Sequence, residues 1–209
     1  DVAPYLAGFT ILTASIIALR QDNLKRRLAY STVSQLSYVI LAALILSPIS
    51  TMGAALHIAV HAFGKITLFM AAGAIYTAAH KTKVSELDGI GKRMPWTMGA
   101  FAIGALSMIG LPPAAGFLSK WYMLLGALEV EQWFAVAVII GSTLLNAAYF
   151  LPIIYAAFLK PEITDSHAHV HGEAPLPIVL ALVTTGAGTI LLFLFPGPAL
   201  ELARLLVNQ

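Results

Sequence analysis

Six near-continuous apolar runs, each long enough to cross a bilayer, leave this chain little choice of solvent. They cover about 3–20, 28–48, 53–78, 96–127, 133–158 and 176–196, the fourth of them interrupted. A hydrocarbon core about 30 Å thick needs roughly 20 residues of helix at about 1.5 Å rise per residue. In lipid the backbone must satisfy its own hydrogen bonds, so only helices or closed barrels span it, and these runs lack the two-residue alternation of barrel strands. The expectation is an all-α fold, a polytopic membrane helical bundle of about six transmembrane helices, one of them discontinuous. Charged residues make up 11% of the 209 positions, against about 25% in soluble domains. There are no cysteines, which excludes disulfides, thiolate metal sites and cysteine chemistry. The sequence begins at Asp1 with no basic region ahead of the first run, so the expectation is no signal peptide, in a fragment or a processed product.

The basic residues are distributed asymmetrically. Arg20, Lys25, Arg26 and Arg27 fall in the first connection, Lys81, Lys83, Lys92 and Arg93 in the third, and Lys160 opens the fifth. The opposite side holds only Arg204, while Lys65 and Lys120 lie within runs. The positive-inside rule places the odd connections in the cytoplasm and both termini outside. The expected setting is the inner (plasma) membrane of a prokaryote, with loops 20–27, 79–95 and 160–175 cytoplasmic.

The fourth run is not a regular helix. Gly110, Leu111, Pro112, Pro113 and Gly116 fall in its middle, and adjacent prolines remove backbone donors and clash with the preceding turn. A break at membrane depth survives only where the freed backbone faces protein or water, and in transporters it marks a binding site.

Three ionisable residues sit one helical turn apart in the third run, MGAALHIAVHAFGKITLFMAAGAIY: His57, His61 and Lys65. The i, i+4, i+8 spacing drifts only about 80° and puts all three on one face, over about 12 Å of axis. Charged groups at bilayer depth cost roughly 2.5–3.5 kcal/mol each and mark ion or proton pathways. Histidine titrates near neutrality, and a lysine out of water can exchange its proton as well. The plainer alternative makes each imidazole a hydrogen-bonded core residue, which a stripe of three such groups disfavours. A zinc shared by the two histidines is a further rival, but this helix offers no third ligand and Lys65 would repel a cation.

Lys120 follows the break in GLPPAAGFLSKWYML. It either snorkels to the headgroups beside Trp121 and Tyr122 or belongs to the buried pathway. Apolar sequence on both sides and the distance to Glu129 favour the second. The second run, LAYSTVSQLSYVILA, carries Tyr30, Ser31, Ser34, Gln35, Ser37 and Tyr38 as a polar stripe. Such groups either hold water beside the His–Lys column or join helices by hydrogen bonds. His167, His169 and His171 lie in the most polar stretch, PEITDSHAHVHGEAP, which reads as a solvated linker. The tail 198–209 reads as a short amphipathic helix at the outer surface. Glycine-rich phosphate loops, GxSxG and HExxH are missing.

The segments LKRRLAYSTVSQLSYVILA, HIAVHAFGKITLFMAAGAIY and LPPAAGFLSKWYML, in that order, resemble the antiporter-like proton-channel subunits. That superfamily includes the D and A subunits of Mrp-type Na⁺/H⁺ antiporters, the three large membrane subunits of complex I, and relatives in membrane-bound hydrogenases. The likeness runs over about residues 5–160, and the SKWYML form is most similar to the Mrp D-type branch. Family members carry two inverted five-helix repeats, each with a half-channel and a broken helix, and this chain resembles the second. The resemblance implies that Lys65 is the central proton-carrying lysine, that His57 and His61 connect to it, and that Lys120 is the broken-helix lysine opening outward. The family's first half-channel, with its glutamate–lysine pair, lies upstream of the matching region and has no counterpart here.

The implied function is a proton-translocating membrane subunit of a multisubunit Na⁺/H⁺ antiporter, with the alternative of a proton-pumping subunit of a complex I-like NADH:quinone oxidoreductase or a membrane-bound hydrogenase. A transporter subunit rather than an enzyme is expected, without cofactor or metal. The implied partners are other subunits of a hetero-oligomeric membrane complex, the lipid bilayer, protons and Na⁺, and no nucleic acid. Residues 1–160 would form the proton-conducting domain, 161–175 a polar cytoplasmic linker, and 176–209 the last membrane helix and tail.

Overall fold

A computed structural model describes residues 2–162 and 172–207; His167, His169 and His171 lie outside the described residues. Helix α1 (Ala3–Arg20) carries a proline in its first turn. α2 (Leu24–Leu44) is capped by the Asn23 side chain, which accepts from the Arg26 amide at 3.0 Å. α3 (Pro48–Ala79) begins after Ser47 with proline at its first position and ends at His80, whose φ of 54° is left-handed. α4 (Pro95–Ile109) stops at Gly110, with φ 93°, where glycine has no Cβ to clash. α5 (Gly116–Glu129), α6 (Trp133–Leu159), α7 (Leu176–Leu194) and α8 (Gly197–Val207) complete the order. Two single-turn 3₁₀ segments, Val84–Glu86 and Ile90–Lys92, lie between α3 and α4.

Four helices, α1, α3, α6 and α7, are long and apolar enough to cross a membrane. α2 has 21 residues, enough to span, but its polar stripe lowers its apolar character. α4 and α5, with 15 and 14 residues, are each too short and together form the interrupted crossing. Six passes, one discontinuous, are what the sequence led us to expect. The first connection differs. It spans 21–23 rather than 20–27, because Asn23 starts the helix early and draws Lys25, Arg26 and Arg27 into its first turn. The Arg27 guanidinium then turns inward to three carbonyls: Gln21 at 2.8 Å, Leu19 at 3.4 Å and Tyr149 at 3.0 Å. Those of Leu19 and Gln21 lie at the end of α1, where a cation satisfies acceptors the helix leaves open.

The connections that carry the basic residues meet at one end of the bundle. Asn23 forms a bridge with Lys83, and Leu24 N–H donates to Thr82 O at 2.9 Å. Asp22 accepts from both the amide and the hydroxyl of Ser85, Lys160 pairs with Asp88 at 3.2 Å, and Arg93 pairs with Glu162. The Glu173 carboxylate caps α4, accepting from Trp96 N–H at 2.6 Å and Thr97 N–H at 3.2 Å. At the opposite end Ser47 donates to Glu129 at 2.8 Å.

Small residues let the central helices approach closely. A Cβ added at Gly126 of α5 would lie 2.4 Å from Ser50 N, and one at Gly53 of α3 would lie 2.7 Å from Met123 N. Without a hydrophobic drive between helices in lipid, such backbone proximity supplies the packing. Large apolar side chains such as Phe9, Ile40, Ile58, Leu144 and Leu180 point outward, as the bilayer solvent requires. α8 rests against α3 with Ala203 buried, leaving Leu202, Leu205 and Leu206 exposed.

Candidate functional site

Polar side chains inside this bundle gather where α2, α3, α5 and α6 surround the break. His57, His61, Lys65 and Lys120 are all buried, with relative exposures of 0%, 9%, 5% and 5%. Snorkelling is therefore excluded for Lys120. Its neighbour Trp121, which is 46% exposed, points outward instead.

The break explains where Lys120 goes. The turn at Gly110 leaves the last carbonyls of α4 without helical donors. The Lys120 ammonium donates to two of them, Met108 O at 2.9 Å and Ile109 O at 3.0 Å. A cation at a helix C-terminus is also favoured by the helix dipole. The ammonium lies 4.7 Å from the centre of the Tyr38 ring, within cation–π range. Gly116 makes the return possible: a Cβ there would fall 1.6 Å from Ser107 O. The prolines and glycines read as a break thus create acceptors, and the lysine ten residues downstream of Gly110 occupies them.

Lys65 has a different seat. It donates to Ser31 Oγ in a short contact and to Leu28 O at 3.2 Å, both on α2, and lies 5.9 Å from the Phe150 ring centre. His57 contacts α5 and α2 at once. Its Nδ1 is 2.8 Å from Ser119 Oγ and its Nε2 3.1 Å from Gln35 Oε1. Gln35 passes on from there, its Nε2 donating to Met108 O at 3.0 Å, the same carbonyl that holds Lys120. His57 and Lys120 are therefore joined through one amide and one carbonyl. His61 stacks near His57 with ring centres 6.2 Å apart. Its Nε2 and the hydroxyl of Ser107 are buried polar atoms without a hydrogen-bond partner in the structure.

Of the α2 stripe, Ser31, Ser34, Gln35 and Tyr38 face inward. Ser34 pairs with Ser15 of α1 at 2.8 Å and so joins helices, whereas Ser31 and Gln35 meet the ionisable groups directly. Ser37 bonds its own Val33 carbonyl, and Tyr30, 38% exposed, is turned away from the site. Tyr38 meets Ser142 of α6 in a short hydrogen bond.

Sequence reasoning missed the contribution of α6. Asn146 is fully buried and is the only carboxamide in the otherwise apolar run 133–158, a signal as visible as the one used for Lys120. With its amide oxygen turned inward, Asn146 accepts from Gln35 Nε2 at 2.8 Å and from Lys120 Nζ at 3.0 Å, while its nitrogen donates to Tyr149 Oη at 2.6 Å. Lys120 then has three acceptors for its three protons. Ser119 was also missed, since a serine beside a lysine gives no pattern of its own. Among the described residues no three His, Cys, Asp or Glu side chains come together as a metal ligand set.

A broken helix whose lysine is seated beside a His–Lys column is the arrangement that the resemblance to antiporter-like membrane subunits implied. The family model described as "NADH:quinone oxidoreductase/Mrp antiporter, TM" matches residues 2–146, and the chain belongs to that family, the one its motifs resemble. Its relatives include the N subunit of NADH-quinone oxidoreductase from Desulforudis audaxviator, 46% identical over 160 residues, which covers 77% of this chain and 32% of the relative. The D subunit of the Na⁺/H⁺ antiporter from Alkalihalophilus pseudofirmus is 33% identical over 165 residues, covering 78% of this chain and 34% of that protein. The chain thus spans about a third of the length of these curated relatives. Among solved structures, a chain of the Mrp complex from Dietzia sp. DQ12-45-1b superposes with a TM-score of 0.92 at 22% identity, over 99% of this chain and 46% of that one. A chain of respiratory complex I from Thermus thermophilus gives 0.83 at 24% identity, over 99% and 44%. At those identities the likeness establishes the fold.

Proposed function

We propose that residues 1–160 form a proton-conducting half-channel, in which Lys65, His57, His61 and Lys120 relay protons inside a multisubunit membrane complex. The observation that carries this reading is the burial of two lysines and two histidines among the central helices. His57 and Lys120 are bridged through Gln35 and Met108 O. Lys65 exchanges protons with His57 and His61 through water, and Lys120 releases them outward or accepts them in reverse. Like charges in one low-dielectric bundle repel, so a proton on one lysine opposes a proton on the other. That opposition makes transfer proceed one charge at a time. Residues 161–175 serve as a cytoplasmic linker, with loops 21–23 and 80–94 on the same side, as the clustering of basic residues supports. Residues 176–209 add the last membrane helix, α7, and the tail helix α8.

Two complexes compete for this half-channel. The SKWYML form at Lys120 supports an Mrp-type antiporter exchanging Na⁺ for H⁺. The 46% identity to an N subunit of NADH-quinone oxidoreductase, against 33% to the D subunit of an antiporter, supports the alternative of a non-redox pumping subunit of a complex I-like enzyme. The proteins that copurify decide between them: iron–sulfur proteins for the redox-linked assembly, small Mrp-type membrane proteins for the antiporter.

The relay is tested by Lys65→Ala and Lys120→Ala in the assembled complex. Each should cut coupled proton movement at least tenfold while assembly persists, measured as substrate-driven or ΔpH-driven proton flux in membrane vesicles. Unchanged flux in assembled mutants would leave the lysines as packing features of a scaffold.

A further inference from the structure

The hydroxyl of Ser119 has one proton and two acceptors within reach. Gly116 O lies 3.1 Å away in the first turn of α5, and His57 Nδ1 lies 2.8 Å away on α3. Which one it serves depends on the ring, and the ring is constrained from its other side. Gln35 donates its Nε2 protons to Met108 O at 3.0 Å and to the inward-turned Asn146 oxygen at 2.8 Å. Two independent acceptors therefore orient the Gln35 amide, and its oxygen must face His57 Nε2, at 3.1 Å. An amide oxygen only accepts, so Nε2 carries a proton.

We propose that His57 is held as the Nε2–H tautomer, that Nδ1 is the atom that gains and loses the relayed proton, and that Ser119 is the positioning residue that follows that change. This deepens the half-channel reading and rests on it for its role in transport. With His57 neutral, the Ser119 O–H donates to the Nδ1 lone pair. When a proton binds at Nδ1, the N–H donates to Ser119 Oγ, and the Ser119 O–H swings to Gly116 O. Release of the proton reverses both moves. Every polar atom keeps a partner in both states, so neither state incurs the cost of an orphaned buried group. The swing also conveys the charge of His57 to the turn that precedes Lys120 by one residue.

The charged and titratable groups that face His57 are few. Lys120 comes from α5 and Tyr38 from α2, with ring centres 6.0 Å apart for the latter, while His61 and Lys65 share α3. Tyr149 joins from α6 through Asn146. None of them touches Nδ1, which leaves Ser119 as its hydrogen-bonding neighbour among the described residues.

The test is nitrogen-15 NMR of histidine-labelled protein in lipid bilayers, in its assembled complex, with His57→Gln identifying the His57 signals. The expected spectrum of neutral His57 shows a protonated Nε2 and a hydrogen-bonded, unprotonated Nδ1. Ser119→Ala should retain the tautomer and shift the Nδ1 signal to that of a nitrogen without a donor; Ser119→Thr should restore it. Gln35→Leu should release the tautomer into a mixture. A neutral ring protonated at Nδ1, or an Nδ1 signal indifferent to Ser119→Ala, would overturn the assignment. Proton flux should fall about fivefold to tenfold in Ser119→Ala, the scale of one lost hydrogen bond, and recover in Ser119→Thr. Flux unchanged in Ser119→Ala would overturn the positioning role. The NMR result stands or falls separately from the lysine flux assays, so failure of the tautomer assignment and failure of the half-channel reading remain distinguishable.

Discussion

The seats of the two buried lysines are built by opposite means. Lys120 lies just past a broken helix and takes backbone carbonyls that the break left without donors, Met108 O and Ile109 O, with Asn146 completing the set. Lys65 lies in the middle of an unbroken 32-residue helix and must borrow from a neighbour, taking Ser31 Oγ and Leu28 O of α2. A broken helix thus provides fixed acceptors, held by the geometry of the chain itself. An intact helix leaves its charge dependent on one hydroxyl and on the register of the adjacent helix. The first arrangement is rigid, and the second is easily altered by sequence.

The largest effect in this comparison belongs to Gly116→Ala. A Cβ 1.6 Å from Ser107 O cannot be accommodated by a side-chain movement, so α5 must shift and Lys120 must leave its carbonyls. The expected cost exceeds about 4 kcal/mol, and yield of assembled complex from membranes is the measurement. Normal assembly with normal flux would show that the seat does not depend on the break geometry.

Next come Asn146→Leu and Ser31→Ala, one on each seat. Asn146→Leu leaves Gln35 and Lys120 each short of an acceptor and should destabilise the protein by about 1–3 kcal/mol. Ser31→Ala removes one of the two acceptors that Lys65 has among the described residues and should lower stability by about 1 kcal/mol, yet depress proton flux more than Asn146→Leu does. Thermal unfolding in detergent and vesicle flux, run in parallel, separate the two. If Asn146→Leu gave the larger loss of flux, the contrast between a rigid and a dependent seat would be reversed.

The smallest effect lies outside the membrane. Asp22 accepts from the Ser85 amide and hydroxyl, and those bonds, with Lys83 nearby, hold its carboxyl below the ordinary value of 3.8. A depressed folded-state pKa means the clasp between loops 21–23 and 80–94 is fully present above about pH 4. It weakens as pH falls through the lower folded value. Asp22→Asn should remove that acid dependence and little else, since the site is exposed. Hydrogen exchange at Ser85 and Val84 between pH 5 and pH 3 measures it.

Much of this architecture is legible in the chain alone. Run lengths predict six crossings, the paired prolines predict the break at Gly110, and the i, i+4, i+8 spacing predicts one face for His57, His61 and Lys65. Arg27 is harder, because a charge at the start of a membrane helix looks like every other juxtamembrane cation. Its inward turn follows from the early Asn23 cap and from carbonyls on α1 and α6 that no local pattern reveals. Tyr30 shows the converse: its spacing joins it to the polar stripe, but the packed face of α2 excludes it.

By itself, then, the sequence determined the solvent, the number of passes, the place of the break and the column of ionisable groups. Each of these depends on residues within one segment, where helical period and chain length are decisive. Tertiary structure alone decided the partners: Met108 O as the shared acceptor, Asn146 as the third ligand of an ammonium, and Ser119 beside His57 Nδ1. Those contacts join five helices whose relative rotation and height are set by close glycine-mediated packing in lipid. No periodicity within a single helix encodes the register of its neighbour.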